Sequence, residues 1–353
     1  MPSVIGMTNS AFDPASRVRF IQFIPGLRKA GWETLHCPNR PDRQWKSPFS
    51  NRIAGGLHYR GARLLMKYNR WRDVAQAEAF DVVFVNRDLA GNGTFFEKRL
   101  LNRNSRVVYD FDDAVHIGRN EPAVRWMCRN AAWVTPGNEY LARFAREENP
   151  HVTVIPTVID TEKYYVRSYT QDAGNGLLRV GWSGSDQSIA HGLFPYLNTL
   201  AELQKTLQFE LVIITNSEPR LPVPGIRWRF HKWEEADEPN LGKHIDIGIM
   251  PLLDNEFQRG KCGLKLLQYM AAAIPTVASP VGVNSDITLE GRTGFLASDN
   301  EQWGRALKAL VLDPALRAEL GTAGRRRCVE HYSIGRWLPR LLEIFENVRA
   351  LKP

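Results

Sequence analysis

Two lysines one helical turn apart, Lys261 and Lys265, stand in the run Gly260-Lys261-Cys262-Gly263-Leu264-Lys265, where a polar loop enters a helix predicted over 264–273. Backbone N–H groups in a first helical turn have no intrahelical acceptor, and the helix dipole places partial positive charge there. Two ammonium groups on one face add full charges. Together these make an anion site whose guest is a phosphate or diphosphate. The plainer alternative is a solvated helix start. A second turn, Gly181-Trp182-Ser183-Gly184-Ser185, follows a predicted strand and precedes a helix, and its small residues let backbone amides approach a phosphate. In a doubly wound sheet this turn would be the neighbouring loop.

A different chemistry is offered by Tyr109-Asp110-Phe111-Asp112-Asp113-Ala114-Val115-His116 at the end of another predicted strand. Crowded carboxylates shift each other's pKa, and such a group can accept hydrogen bonds from sugar hydroxyls or act as a base. A strand-end turn with helix-capping aspartates is the alternative. Nothing in the spacing demands Mg²⁺. Arg17 and Arg19 lie at a predicted helix start, where they oppose the dipole. Such a local cost marks either function or simply exposed arginine.

The segment 40–72, from Arg40 to Arg72, holds nine Lys/Arg against one acid, Asp42, hence +8. That equals the formal net charge of the whole chain and points to a local anionic partner. Trp45, Phe49, Tyr59, Tyr68 and Trp71 are interleaved with the charges. Leu64, Tyr68, Trp71, Ala75 and Ala79 share one helical face. Basic flanks on an aromatic face describe an interfacial helix for anionic lipid headgroups. An ordinary domain helix with that face turned inward is the alternative. No nucleic-acid motif is present, so no nucleic-acid partner is expected. Arg63, Lys67 and Arg70 are expected to be exposed.

A chain of 353 residues with 43% hydrophobic and 24% charged residues is globular and long enough for two cores. Strands are predicted at 4–7, 34–37, 81–86, 106–110, 133–136 and 152–155, with helices at 17–30, 62–80 and 139–147. A polar, Gly-bearing stretch at 167–177 reads as a linker. Strands at 178–182, 209–215, 226–231, 245–250 and 276–279 follow, with helices at 189–205, 301–311, 314–331 and 337–351. This alternation predicts two doubly wound α/β domains, 1–166 and 178–336, with a cleft between them. The last helix, 337–353, is expected to return to the first domain. The four cysteines are scattered without CxxC or Cys/His spacing, so no zinc site is expected and a reduced, cytosolic setting fits. The remaining histidines read as structural. No signal peptide and no membrane-spanning run are read.

Taken together, PASRVRFIQFIPGLRKAGWE, DVVFVNRDL, VVYDFDDAV, TPGNEYLARFA, VIPTVIDTEKY, VGWSGS, the segment 246–284 and HYSIGRWLPRLLEIF resemble, in order and spacing, the GT-B glycosyltransferases of the GT4 type that act on bacterial surface sugars. The resemblance implies a GT-B fold and metal-independent, retaining transfer from a nucleotide-diphosphate sugar to a saccharide or lipid-linked acceptor, with no cofactor. The inner face of the cell membrane would be the place of work. It implies donor-binding roles for Ser183, Gly184, Ser185, Trp233, Gly260, Lys261, Gly263, Leu264, Lys265 and Gln268. Acceptor-side roles fall to Arg17, Arg19 and Asp110, and catalytic roles to Asp112, Asp113, His116 and Lys265. The family's two glutamates, with seven residues between them, are replaced here by Gly260 and Gln268. The Arg/Lys pair after the first donor-domain strand is absent, and Lys261 and Lys265 are expected to supply that charge.

Overall fold

The computed structural model describes residues 1–40, 51–91, 93–169 and 177–352. Residues 41–50 of the basic segment, with Trp45 and Phe49, and 170–176 of the expected linker lie outside the described residues. The chain divides into two compact units: Met1–Thr157 with Trp337–Pro353, and Val158–Arg336.

In the first unit, β1 (Ser3–Thr8), β2 (Glu33–Pro38), β3 (Val82–Asn86), β4 (Val107–Phe111) and β5 (Trp133–Pro136) form a parallel sheet in the order β2-β1-β3-β4-β5. Every residue of β1, β3 and β4 is buried, as a parallel sheet covered on both faces requires. That explains their unbroken apolar runs. The predicted strand at 152–155 is not formed. It contributes a single bridge, Val134 to Val152, beyond β5. The helix expected over 17–30 is broken into Pro14–Arg19, a 3₁₀ turn Ile21–Phe23, and Ile24–Lys29 with Pro25 in its first turn. Helices Phe95–Leu101 and Glu121–Asn130 were not anticipated.

In the second unit, β6 (Leu178–Ser183), β7 (Phe209–Thr215), β8 (Trp228–Lys232), β9 (Ile247–Met250), β10 (Thr276–Ala278) and β11 (Gly294–Leu296) form a parallel sheet, ordered β11-β10-β9-β6-β7-β8. The three residues of β11 are too few to show a period. The helix expected over 189–205 is split into Asp186–Gly192 and Leu197–Leu203 around Pro195. Residues 158–166, expected in the first domain, belong to the second unit. Ile159 N–H donates to Tyr332 O at 2.8 Å and Tyr165 N–H to Pro239 O at 2.9 Å, so their backbone is satisfied there.

The helix Arg52–Gln76 turns its aromatic stripe outward. Leu64 is 68% exposed and Tyr68 62%, with Trp71 also exposed. Its buried positions, Arg70, Asp73 and Val74, lie toward its C-terminal end. Arg70 corrects an expectation. It is fully buried, donates to Leu89 O at 2.7 Å and Thr8 O at 2.9 Å, and pairs with Asp73 at 3.4 Å.

Arg19 and Asp110 are corrected too. Both side chains are 1–2% exposed and face one another, Nε to Oδ2 at 3.0 Å and Nη2 to Oδ1 at 2.6 Å. Asp110 also accepts from Asn86 at 2.9 Å and Thr135 at 2.8 Å, and Arg19 donates to Ile155 O at 2.6 Å. Burial pushes the Asp110 carboxyl up, while Arg19 opposes that shift. A buried charge left without its partner is strongly unfavourable. Asp110→Ala should therefore lower the stability of the first unit by about 3–5 kcal/mol in urea unfolding. A loss under about 1 kcal/mol would show that the pair does not hold this sheet together.

Candidate functional site

The second unit gathers a constellation at the C-terminal end of β6. The chain leaves β6 through Ser183, Gly184 and Ser185. Opposite stands the helix Leu264–Ala271, entered through Gly263 in the left-handed region at φ 71°. A β-carbon at Gly263 would lie 2.2 Å from Ile287 Cδ1, so both conformation and space demand glycine. Two contacts join the elements. Ser183 N–H donates to Tyr269 Oη at 2.9 Å, and the Lys265 ammonium sits 4.0 Å from the ring centroid of Trp182. A β-carbon at Gly184 would fall 2.5 Å from the Trp182 ring and 2.8 Å from Lys265 Nζ.

Lys265 is the electrostatic centre of this arrangement. The residue is partly buried, and among the described residues no carboxylate pairs with it. Burial, reinforced by the Lys261 charge, brings its pKa down to about 7 from a usual value near 10.5. The expectation of two full charges on an exposed face is thus modified: Lys265 is about half charged at neutral pH. Lys261 lies before the helix, partly buried, with its ammonium 5.3 Å from the Phe257 ring. Gln268 is buried, with its backbone carbonyl accepting from Ala272 N–H at 3.2 Å. Gly260 caps the short helix Glu256–Arg259, and Leu264 opens the longer one. Trp233 follows β8 and donates its N–H to Thr215 O at 2.8 Å. Trp182 and Tyr269 escaped the sequence reading because core aromatics carry no mark of what they touch.

In the first unit the three aspartates divide between two arginines. Asp110 turns inward to Arg19, whereas Asp112 and Asp113 share Arg87, at 2.8 and 2.6 Å. Arg87 adopts φ 63°, unusual for a non-glycine residue, and its N–H donates to Asp110 O at 2.7 Å. Burial works against its charge, and the two carboxylates outweigh that. No sequence signal singled out Arg87. His116 stacks on Phe144 with centroids 4.4 Å apart, and Arg17 is half-buried in the helix capped by Asp13. Two histidines read as structural, His231 and His244, come together with Asp237.

Two parallel-sheet, Rossmann-like units are the GT-B fold, and solved structures share it. Sucrose-phosphate synthase from Thermosynechococcus elongatus superposes with a TM-score of 0.70 at 16% identity, covering 99% of this chain and 100% of its own. Anabaena HepE in complex with UDP and glucose gives 0.66 at 14% identity, covering 98% and 100%. Residues 179–313 match the family model described as Glycosyl transferases group 1. The matched residues lie within the second unit. Alpha-maltose-1-phosphate synthase from Mycolicibacterium smegmatis is 38% identical over 96 residues, 25% of each chain. D-inositol 3-phosphate glycosyltransferase from an Arthrobacter species is 36% identical over 83 residues, 23% of this chain and 18% of that one. The chain matches about a quarter or less of the length of these curated relatives.

The depressed Lys265 pKa fixes the sign of a stability effect. Between about 7 and 10.5 the unfolded chain holds a proton on this lysine that the folded protein lacks, so folding gains stability as pH rises through that window. Below about 7 the full penalty for burying the charge remains. Lys265→Met should therefore be more stable than the parent at pH 6, with the gap closing as pH approaches 10. Denaturant titrations across this range decide it, and a gap independent of pH would contradict the lowered Lys265 pKa.

Proposed function

We propose that this chain is a retaining glycosyltransferase that moves a sugar from a nucleotide-diphosphate sugar to a saccharide or lipid-linked saccharide acceptor, in surface polysaccharide or glycolipid synthesis. The observation that carries the reading is Lys265, partly buried against Trp182 beside a helix N-terminus at the C-terminal end of β6, with no carboxylate beside it among the described residues. A site built this way is completed by an anion. A diphosphate entering it would raise the Lys265 pKa and draw in a proton. The ammonium, the Lys261 charge and the first-turn amides would then stabilise the negative charge that grows on the diphosphate as the glycosidic bond breaks. Ser183, Gly184 and Ser185 would border the phosphates, and Gln268 and Trp233 would meet the sugar or nucleoside. Gln258, buried in the short helix Glu256–Arg259, has an Oε1 with no hydrogen-bond partner among the described residues, ready to accept from a ligand hydroxyl.

The HepE structures contain UDP and UDP-glucose, so uridine nucleotides head the list of donors to test here. No metal or cofactor is needed in this scheme. On the acceptor side, Asp112, Asp113, His116 and Arg17 remain the proposed groups, while Arg19 and Asp110 hold the sheet beneath them. A thermal-shift panel of UDP, GDP, dTDP and CMP with their sugars tests the donor assignment. A nucleotide present at 100 times its Kd adds about 2.7 kcal/mol of stability. Lys265→Ala should weaken nucleoside-diphosphate binding by about 1–3 kcal/mol. If none of the four nucleotides shifts the midpoint, the donor assignment fails. Binding without release of diphosphate to any saccharide acceptor would favour a non-catalytic partner module, a reading that Gly260 and Gln268 in place of two glutamates supports.

Membrane contact is proposed for the helix Arg52–Gln76. Its apolar face, with Leu57, Leu64 and Tyr68, is exposed, and Arg60, Arg63 and Lys67 are exposed alongside. No helix among the described residues is long and apolar enough to cross a membrane, so the contact would be peripheral. Each cation near an anionic surface contributes about 1 kcal/mol, screened over roughly 8 Å at physiological salt. Sedimentation with phosphatidylglycerol vesicles at low salt should pellet the protein, and high salt should release it. Charge reversal of Arg60, Arg63 and Lys67 to Glu should abolish pelleting without unfolding. Equal pelleting with neutral and acidic vesicles would refute the reading.

A further inference from the structure

His231 lies near the end of β8, Asp237 in the 3₁₀ stretch Glu235–Asn240, and His244 at the end of the helix Leu241–His244. Three successive elements thus bring two imidazoles and a carboxylate to one point. Asp237 Oδ2 lies 2.8 Å from His231 Nε2 and 3.0 Å from His244 Nε2. The imidazole planes are tilted by 31° with centroids 4.1 Å apart, and the three potential ligand atoms all lie within 4.8 Å of one another. Each residue is partly buried.

The carboxylate does not account for this convergence. His231 makes a hydrogen bond to Asp237. His244 Nε2 is buried, and despite its closeness to the same oxygen it makes no hydrogen bond of acceptable geometry to any described residue. Ligands at tetrahedral zinc distances of about 2.0–2.1 Å stand about 3.3 Å apart, so the two separations from Asp237 to the imidazoles, 2.8 and 3.0 Å, need to lengthen by only a few tenths of an ångström.

We propose that His231, Asp237 and His244 bind one divalent cation of the Zn²⁺ class, at the β8 edge of the sheet and apart from the diphosphate site. Two imidazoles and one carboxylate oxygen suit Zn²⁺, Co²⁺ or Ni²⁺ and disfavour Mg²⁺, which prefers oxygen ligands. Water completes the coordination on the exposed side. The cation clips the end of β8 to the helix that precedes β9, and so braces the segment that carries Trp233. It takes no part in group transfer.

Calorimetry on tag-free full-length protein, freed of metal with a chelator and dialysed, tests the site with Zn²⁺ alone. One Zn²⁺ per chain and a raised thermal midpoint are expected, with no response to equimolar Mg²⁺. The four cysteines are buried and do not compete in the folded protein. His231→Gln, His244→Gln and Asp237→Asn should each weaken Zn²⁺ binding at least tenfold while keeping the metal-free midpoint near that of the parent. Asp237→Asn preserves shape, so it tests the ligand set even if a histidine variant fails to fold. The visible absorption of bound Co²⁺ should vanish in the same variants. No stoichiometric Zn²⁺ binding, or binding that Asp237→Asn leaves unchanged, overturns the proposal.

Discussion

A partly buried ammonium group with no carboxylate beside it among the described residues is an unstable element on its own, and the second unit is arranged around one, Lys265. Desolvation penalises the charge on Lys265, and a cation–π contact with Trp182 offsets only part of that. The residues that hold it there are all constrained. Trp182 is fully buried at the end of β6, Gly184 must lack a β-carbon, and Gly263 must adopt a left-handed conformation. A fold tolerates such a group when something else completes it, and at the C-terminal edge of a parallel sheet beside a helix N-terminus that completion would be the anion proposed above. The family match of residues 179–313 falls on the part of the chain that builds this arrangement.

The first unit resolves its charges differently. Its buried cation Arg19 and buried anion Asp110 neutralise each other and bond to two strands and a loop, whereas Arg87 draws Asp112 and Asp113 together at the end of β4. The aspartate-rich run therefore serves two purposes. One carboxylate ties the sheet, and the other two are held at its rim, where hydroxyl-bearing ligands have lone pairs to meet. The second unit keeps an uncompensated cation and the first keeps compensated anions. That contrast is what a donor site for a diphosphate and an acceptor site for neutral hydroxyls would require.

Much of the fold was legible because parallel strands buried on both faces write themselves as apolar runs. Trp133–Pro136 and Phe209–Thr215 fall where the sequence pattern places them. Proline at 25 and 195 broke two helices that periodicity alone joins, and the apolar run at 152–155 lies along β5, with Thr153 and Ile155 donating to Val134 O and Pro136 O, but makes only one bridge. The candidate sites were less legible, because their chemistry depends on contacts across long stretches of chain. Asp110 meets Arg19 91 residues away. Lys265 packs against the ring of Trp182, on a different element. His231 and His244 are unremarkable in sequence until the turn through Asp237 folds them together. The outward turn of Leu64 and Tyr68 was also undecidable, since an amphipathic stripe reads the same whether it meets a core or a bilayer.

The central claim is that Lys265 is a proton-poor cation that an incoming diphosphate charges. Calorimetry of UDP binding at pH 8 in two buffers of different ionisation enthalpy measures this directly. With a free-protein pKa of about 7, binding is expected to take up close to one proton. Lys265→Arg, whose guanidinium stays charged, should bind without uptake. Binding of UDP to the parent protein with no proton uptake would contradict the account.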